Sequence, residues 1–293
     1  MKEQYGITGL TGLVRRAALL CLTLGICGVS FAAAGGRSCF KVFDATLYSG
    51  KPDLSVYGIQ HLKLVEPARW WKQANAGPAQ RREVVMKQAK DLAAGTDPVV
   101  VDLELPLAAT AAGSGENIQL YIDVIKWMRD GGYQKPLSFY GSLPIRDYWR
   151  AQKGPANPGY RDWQLDNNRL NGIVDQVDAL YPSLYTFYDN EEGWTKYAAE
   201  NIAEARRIAG GRPVYVFLWP QYHDSARGLA YQFLPPDFWM KEMQVAGRLA
   251  DGFVIWGGRD FVNKQPMQWD DQAPWWRETM AFMKSRKDIC TVD

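Results

Sequence analysis

Between residues 41 and 287 the chain alternates short apolar runs, rich in β-branched and aromatic residues, with segments of helical periodicity. This alternation limits the possible folds more than any other feature. Candidate strands are 41–48, 56–62, 98–105, 137–140, 179–185, 214–218 and 252–256. Each matches the length of a buried strand and is short for a helix. Ile118, Tyr121, Val124, Ile125 and Met128 share one helical face, and Gly131-Gly132 stops that helix. Residues 81–92 read the same way. Asp189-Asn190 offers an N-cap for a helix running through Ile208, which Gly210-Gly211 ends. Pro235-Pro236-Asp237 opens another helix, and 275–287 forms the last. Strand–helix alternation over about 250 residues predicts an α/β fold, a single TIM-like (β/α) barrel. Seven strands are countable, so a seven-stranded barrel is expected, with an open doubly wound sheet as the alternative. No linker, repeat or low-complexity segment interrupts the pattern.

The segment ahead of this pattern reads differently. Lys2, Arg15 and Arg16 precede an apolar run from Ala17 to Ala34, which ends in Ala32-Ala33-Ala34. A basic start, an apolar stretch and small residues at its end predict a secretory signal over 1–34, leaving 35–293 as one domain. An uncleaved anchor is the alternative. Cys21 and Cys27 leave with the signal, so Cys39 and Cys290 remain. Export predicts a secreted or periplasmic protein, with no stable membrane insertion after signal removal. In an oxidising compartment the two remaining cysteines are expected to pair and close a loop of about 250 residues. Two free buried thiols are the alternative.

Charge and motif content exclude several classes. Lys and Arg number 34 and Asp and Glu 32, so no basic face for nucleic acid is implied. Only two histidines occur, His61 and His223, without an HExxH pattern, and both are expected to be structural or at the surface. There is no Gly-rich dinucleotide or phosphate loop and no Gly-x-Ser-x-Gly elbow. Neither a metal nor a cofactor is expected. Aromatic residues reach 13%, with 12 Trp, 15 Tyr and 11 Phe. Flat rings in that number either grip sugars or fill a large core.

Pro98-Val99-Val100-Val101-Asp102-Leu103-Glu104-Leu105-Pro106 is the most informative stretch. A β-branched strand ends in Asp-x-Glu. The strand period of two puts Asp102 and Glu104 on one side and Leu103 on the other. In a barrel the shared side is the lumen, and strand C-termini are where active sites assemble. Repulsion and burial are expected to raise the pKa of one carboxyl of the pair, as a general acid requires. Three other strand ends carry rings: Phe139-Tyr140-Gly141, Leu180-Tyr181-Pro182-Ser183-Leu184-Tyr185 and Val254-Ile255-Trp256-Gly257-Gly258. At a barrel mouth such rings can stack on a pyranose face, and the glycines let a ligand approach the backbone. Each ring on its own is equally a core residue.

Taken together and in order, these motifs resemble the glycoside hydrolase family of animal and venom hyaluronidases over about residues 98–260. The resemblance implies retaining hydrolysis of an N-acetylhexosaminide in which the substrate's acetamido oxygen is the nucleophile, an exception to the two-carboxylate scheme. By the family pattern Glu104 is the acid and then the base, Asp102 orients the acetamido group, and Tyr185 helps hold it. Tyr140, Tyr181 and Trp256 are implied substrate-binding residues. Phe217, Trp219 or Tyr222 stands where the family has a further pocket tyrosine. Cys39 and Cys290 resemble the bond joining the two ends of the family's barrel.

There are departures. Leu103 replaces a tryptophan, and the arginine that follows the family motif is missing from Leu105-Pro106-Leu107. Lys126, Arg129, Arg146 and Arg150 either line a groove for an acidic chain or form a solvated face. The expected partner is a polysaccharide containing N-acetylhexosamine, with no nucleic acid. A muramidase-like barrel acting on peptidoglycan and a non-catalytic carbohydrate-binding barrel are the competing readings.

Overall fold

The computed structural model describes residues 39–66 and 77–291. The predicted signal over 1–34 lies outside them. No helix among the described residues is long and apolar enough to cross a membrane.

The fold is α/β with parallel sheets. Strand β1 (Lys41–Thr46) pairs in parallel with β2 (Ile59–His61) and with β7 (Gly252–Gly257), and β7 pairs with β6 (Tyr215–Leu218). A second sheet runs β3 (Lys63–Val65), β4 (Val99–Val101), β5 (Leu137–Phe139), again all parallel. Only Leu62 separates β2 from β3. Its amide donates to the Asp44 carbonyl, and the next amide, of Lys63, donates to the Pro98 carbonyl. One extended run therefore serves both sheets. Between the other two edges stand isolated parallel bridges, Tyr140↔Tyr181, Leu180↔Val214 and Ser183↔Phe217. A short antiparallel pair, β8 (Arg259–Asp260) and β9 (Gln265–Pro266), follows β7.

The helices are α1 (Pro78–Ala93), α2 (Ser114–Asp130), α3 (Tyr148–Gln152), α4 (Pro158–Asn168), α5 (Asn171–Val174), α6 (Glu191–Ile208), α7 (Pro236–Leu249) and α8 (Pro274–Ser285). Asn190 caps α6, its side chain accepting from the Gly193 amide. Pro236 and Pro274 start α7 and α8, where a missing amide proton costs nothing.

Strand alternation sorts the core into two layers. Phe43, Val100, Tyr140, Tyr181, Phe217 and Val254 belong to a small inner cluster. Their strand neighbours Val42, Val99, Val101, Phe139, Val216 and Phe253 join the large outer cluster with the helices. Strands apolar on both faces are what a parallel sheet covered by helices requires.

Three expectations differ in detail. Residues 179–185 form bridges, not a strand. Pro182 has no amide proton to donate, although its carbonyl accepts from Phe217. The expected strand 98–105 ends at Val101. The Tyr121 hydroxyl donates to the Leu103 carbonyl and receives the Leu105 amide, replacing a neighbouring strand. The expected strand 56–62 begins as a 3-10 turn over Leu54–Tyr57, capped by Asp53 and closed by Gly58 at φ 78°. Helices α3, α4 and α5 are additions to the sequence reading.

Cys39 and Cys290 form a disulfide with Cα atoms 4.9 Å apart, across a sequence separation of 251. Beside it the Phe40 amide donates to the Asp288 carbonyl and the Cys290 amide to the Phe40 carbonyl, so both ends of the described chain are laced together.

Candidate active site

Beyond β4, Asp102 and Glu104 continue the face that Val100 presents to the inner cluster. Both line a cavity of about 320 Å³, while Leu103 is buried on the helix side. Tyr121 of α2 sets this geometry: its hydroxyl serves Leu103 and Leu105 and lies 2.9 Å from Ser142 Oγ.

The two carboxylates lie at different depths. The Glu104 side chain is 55% exposed and stands 3.5 Å from the Arg146 guanidinium. Asp102 is deeper, and its Oδ1 is buried without a hydrogen-bond partner. Burial first, then repulsion from Glu104 and Glu66, push the Asp102 carboxyl up to about 7, against the pull of Arg146. The raised carboxyl of the pair is thus the inner one, Asp102, which the family pattern casts as the orienting residue and not as the acid.

Aromatic rings build the wall. Tyr185 stacks on Trp256 with centroids 5.4 Å apart and planes at 22°, and Trp219 meets both edge-on. Trp219 is held by its indole N–H, which donates to Gln221. Tyr140 is fixed by a 2.9 Å contact between its hydroxyl and Ser183 Oγ. Burial drives the Tyr185 hydroxyl well above its ordinary pKa, so it stays a neutral hydroxyl. Tyr231 and Phe261 stack on each other at 5.0 Å and complete the rim.

Tyr181 and Phe217, expected at the substrate, do not line the cavity. The Tyr181 ring packs instead against Tyr215 and Phe217 in the inner cluster. Tyr222 packs in the outer cluster and donates its hydroxyl to Asp189, 2.7 Å away. Of the three candidates for the family's further tyrosine, Trp219 alone reaches the cavity.

His223, expected to be structural or at the surface, and Arg146, one of the four basic residues considered for a groove, both line the cavity. His223 does not fit the expectation of a structural or surface residue. Burial lowers its pKa against the opposing pull of Asp224. His61 lies elsewhere, 2.8 Å from Asp97. Among the basic residues considered for a groove, Arg129 is paired with Asp178, and Arg150 with Asp147 and Asp166. Arg146 has only the long contact with Glu104 and a place 5.7 Å over the Phe187 ring.

Two further cavities adjoin this one. A second, of about 300 Å³, shares Glu104 and Arg146 with it. A third, of about 280 Å³, shares Asp102 and Trp256. The carboxylate pair thus stands where the linings of three neighbouring cavities meet. Among the described residues no group of three or more His, Cys, Asp or Glu side chains is placed to hold a metal ion.

Comparison with known proteins places this cleft in context. No protein-family model matches the chain. Hyaluronidase conohyal-ad1 of Conus adamsonii is 25% identical over 138 residues, which is 42% of this chain and 38% of that protein. The match thus spans well under half the length of this relative. Bee venom hyaluronidase superposes with a TM-score of 0.59 at 14% identity, covering 84% of this chain and 99% of that one. Bee venom hyaluronidase in complex with a hyaluronic acid tetramer gives 0.53 at 13% identity, covering 84% and 95%. The chain is therefore hyaluronidase-like in fold and, over the matched part, in sequence.

Proposed function

We propose that this protein is an endo-β-N-acetylhexosaminidase of hyaluronidase type that hydrolyses a glycosaminoglycan-like polysaccharide with retention. The observation that carries this reading is the buried, unpartnered Oδ1 of Asp102, which lies in a ring-walled cavity beside the solvent-facing Glu104. A buried acceptor without a donor is costly in the free protein, and a substrate amide N–H would satisfy it. Asp102 accepts from the acetamido N–H and turns the acetamido oxygen toward the anomeric carbon. That oxygen attacks, the glycosidic C–O bond breaks, and Glu104 passes its proton to the leaving oxygen. The positive oxazolinium-like intermediate faces Asp102. Water then attacks the anomeric carbon, gives its proton to Glu104, and the acetamido C–O bond breaks. The exposure of Glu104 suits a group that must exchange with water between the two steps. Tyr185 holds the acetamido group by its neutral hydroxyl, and Trp256, Trp219 and Tyr140 wall the sugar.

The same reading treats residues 35–293 as one domain and the two sheets as a single seven-stranded barrel. The run through Leu62 and the bridges at Tyr140, Leu180 and Ser183 support that closure. The disulfide supports an exported protein acting outside the cell. A thiazoline analogue of N-acetylglucosamine, which mimics the intermediate, tests the mechanism. Tight competitive inhibition is expected, and absence of inhibition of an active enzyme contradicts acetamido participation.

A further inference from the structure

Outside the cleft stands a pair of rings with no role in the chemistry above. Trp149 is 62% exposed and Tyr188 41% exposed, and their centroids lie 5.3 Å apart. Among the described residues no other two exposed large rings touch each other. Both sit on segments that follow strand ends, on the side of the fold where Asp102 and Glu104 lie. Trp149 belongs to α3, after β5, and Tyr188 follows the 180–186 run.

The pair is continuous with the cleft. His223 and Arg146 line the cavity, and the Phe187 ring lies 4.7 Å from His223 and 5.7 Å from the Arg146 guanidinium. Tyr148 is next, 6.3 Å from Phe187, and it touches both exposed rings, at 4.8 Å from Tyr188 and 5.1 Å from Trp149. A row of rings thus leads from the cavity wall to open solvent.

The backbone that carries Trp149 is also fixed. Asp147 accepts from the amides of Trp149 and Arg150, and Arg150 ties Asp147 to Asp166. Tyr148 lies against the first turn of α6 because Gly193 leaves it room: a Cβ there would meet the Tyr148 hydroxyl at 2.7 Å. Fixed flat faces lose little freedom when a ligand stacks on them.

We propose that Trp149 and Tyr188 form a polysaccharide-binding platform that holds the polymer after it leaves the cleft past Arg146. The occupant is a further stretch of the same chain, whose sugar rings offer flat C–H faces to the two side chains. This inference rests on the function proposed above. The test compares high-molecular-mass hyaluronan with hyaluronan hexasaccharide for wild type, Trp149→Ala, Tyr188→Ala and Trp149→Phe. Each alanine variant is expected to raise KM for the polymer about tenfold, a typical loss for one packed ring. Hexasaccharide turnover and the melting temperature should stay unchanged, and Trp149→Phe should recover part of the polymer KM. An unchanged polymer KM overturns the platform, and so does an equal loss on the hexasaccharide. Calorimetric binding of the same polymer separates the two readings. If wild type binds it more tightly than the variants but does not cleave it, the platform stands and the hydrolytic reading fails. No binding and no cleavage by wild type contradicts both.

Discussion

Arg146 faces Glu104 across 3.5 Å, with a third of the arginine side chain and over half of the glutamate side chain in solvent. An ion pair so long and so wet adds about 0–1 kcal/mol to stability. The guanidinium is therefore available to a ligand carboxylate. Arg146→Gln should leave the melting temperature almost unchanged while raising KM for an acidic polymer about 10- to 100-fold, the loss of one charge-assisted hydrogen bond. A large fall in melting temperature, or an unchanged KM, contradicts this role.

The Asp102 carboxyl gives a pH signature. Its folded pKa of about 7 lies above its unfolded value because burial disfavours the charge. Between those two values the folded protein keeps a proton that the unfolded chain has released. The contribution to stability is complete below the unfolded pKa and is lost as pH rises through about 7. Buried Glu242, also raised, adds a slope of the same sign. Asp102→Asn should remove the Asp102 part, so that the wild-type melting temperature falls relative to the variant's as pH rises from about 4 to about 7. Parallel curves would show that Asp102 is not the buried acid described.

Tyr121 positions the catalytic segment without touching the cavity. Its hydroxyl donates to the Leu103 carbonyl, receives the Leu105 amide and lies beside Ser142, which itself also reaches the Leu103 carbonyl. Tyr121→Phe should cost about 1–3 kcal/mol of stability, chiefly by taking the acceptor from the Leu105 amide. It should also lower kcat about tenfold, with little change in KM, because small misplacement of an acid is expensive. Full kcat in a folded variant removes Tyr121 from the positioning of Glu104.

The Cys39–Cys290 bond closes a long loop, with an upper value of about 5 kcal/mol from chain entropy. Reduction, or Cys39→Ala with Cys290→Ala, should lower the melting temperature by about 10 °C. The backbone bonds of Phe40 to Asp288 and Cys290 keep the ends together locally and set a limit on the loss. An unchanged melting curve would show that those bonds suffice.

How much was legible in the sequence follows from what each feature depends on. Strand period alone puts Asp102 and Glu104 on one face, hydrophobic period outlines α1 and α2, and cap and breaker residues mark α6 and α7. The α4 helix is hidden because its buried face uses Asp166 and Asn167 beside Tyr160 and Trp163, so no apolar stripe signals it. Tyr181 and Tyr185 share the inner cluster, and only tertiary placement separates core ring from cavity wall. Arg146, His223 and Tyr231 enter the cavity from loops, which carry no periodicity to read. Arg146 is distinguished from Arg129 and Arg150 only by its partners, a tertiary property.

The central claim is that Glu104 cleaves an acetamido-sugar polymer. Purified protein should be incubated with hyaluronan and new reducing ends followed over time, with Glu104→Gln as control. The account predicts steady release by wild type and a loss of about 10²- to 10⁴-fold in the variant, which should still bind the polymer. Equal release by both proteins, or none by wild type under conditions where it binds hyaluronan, would contradict it.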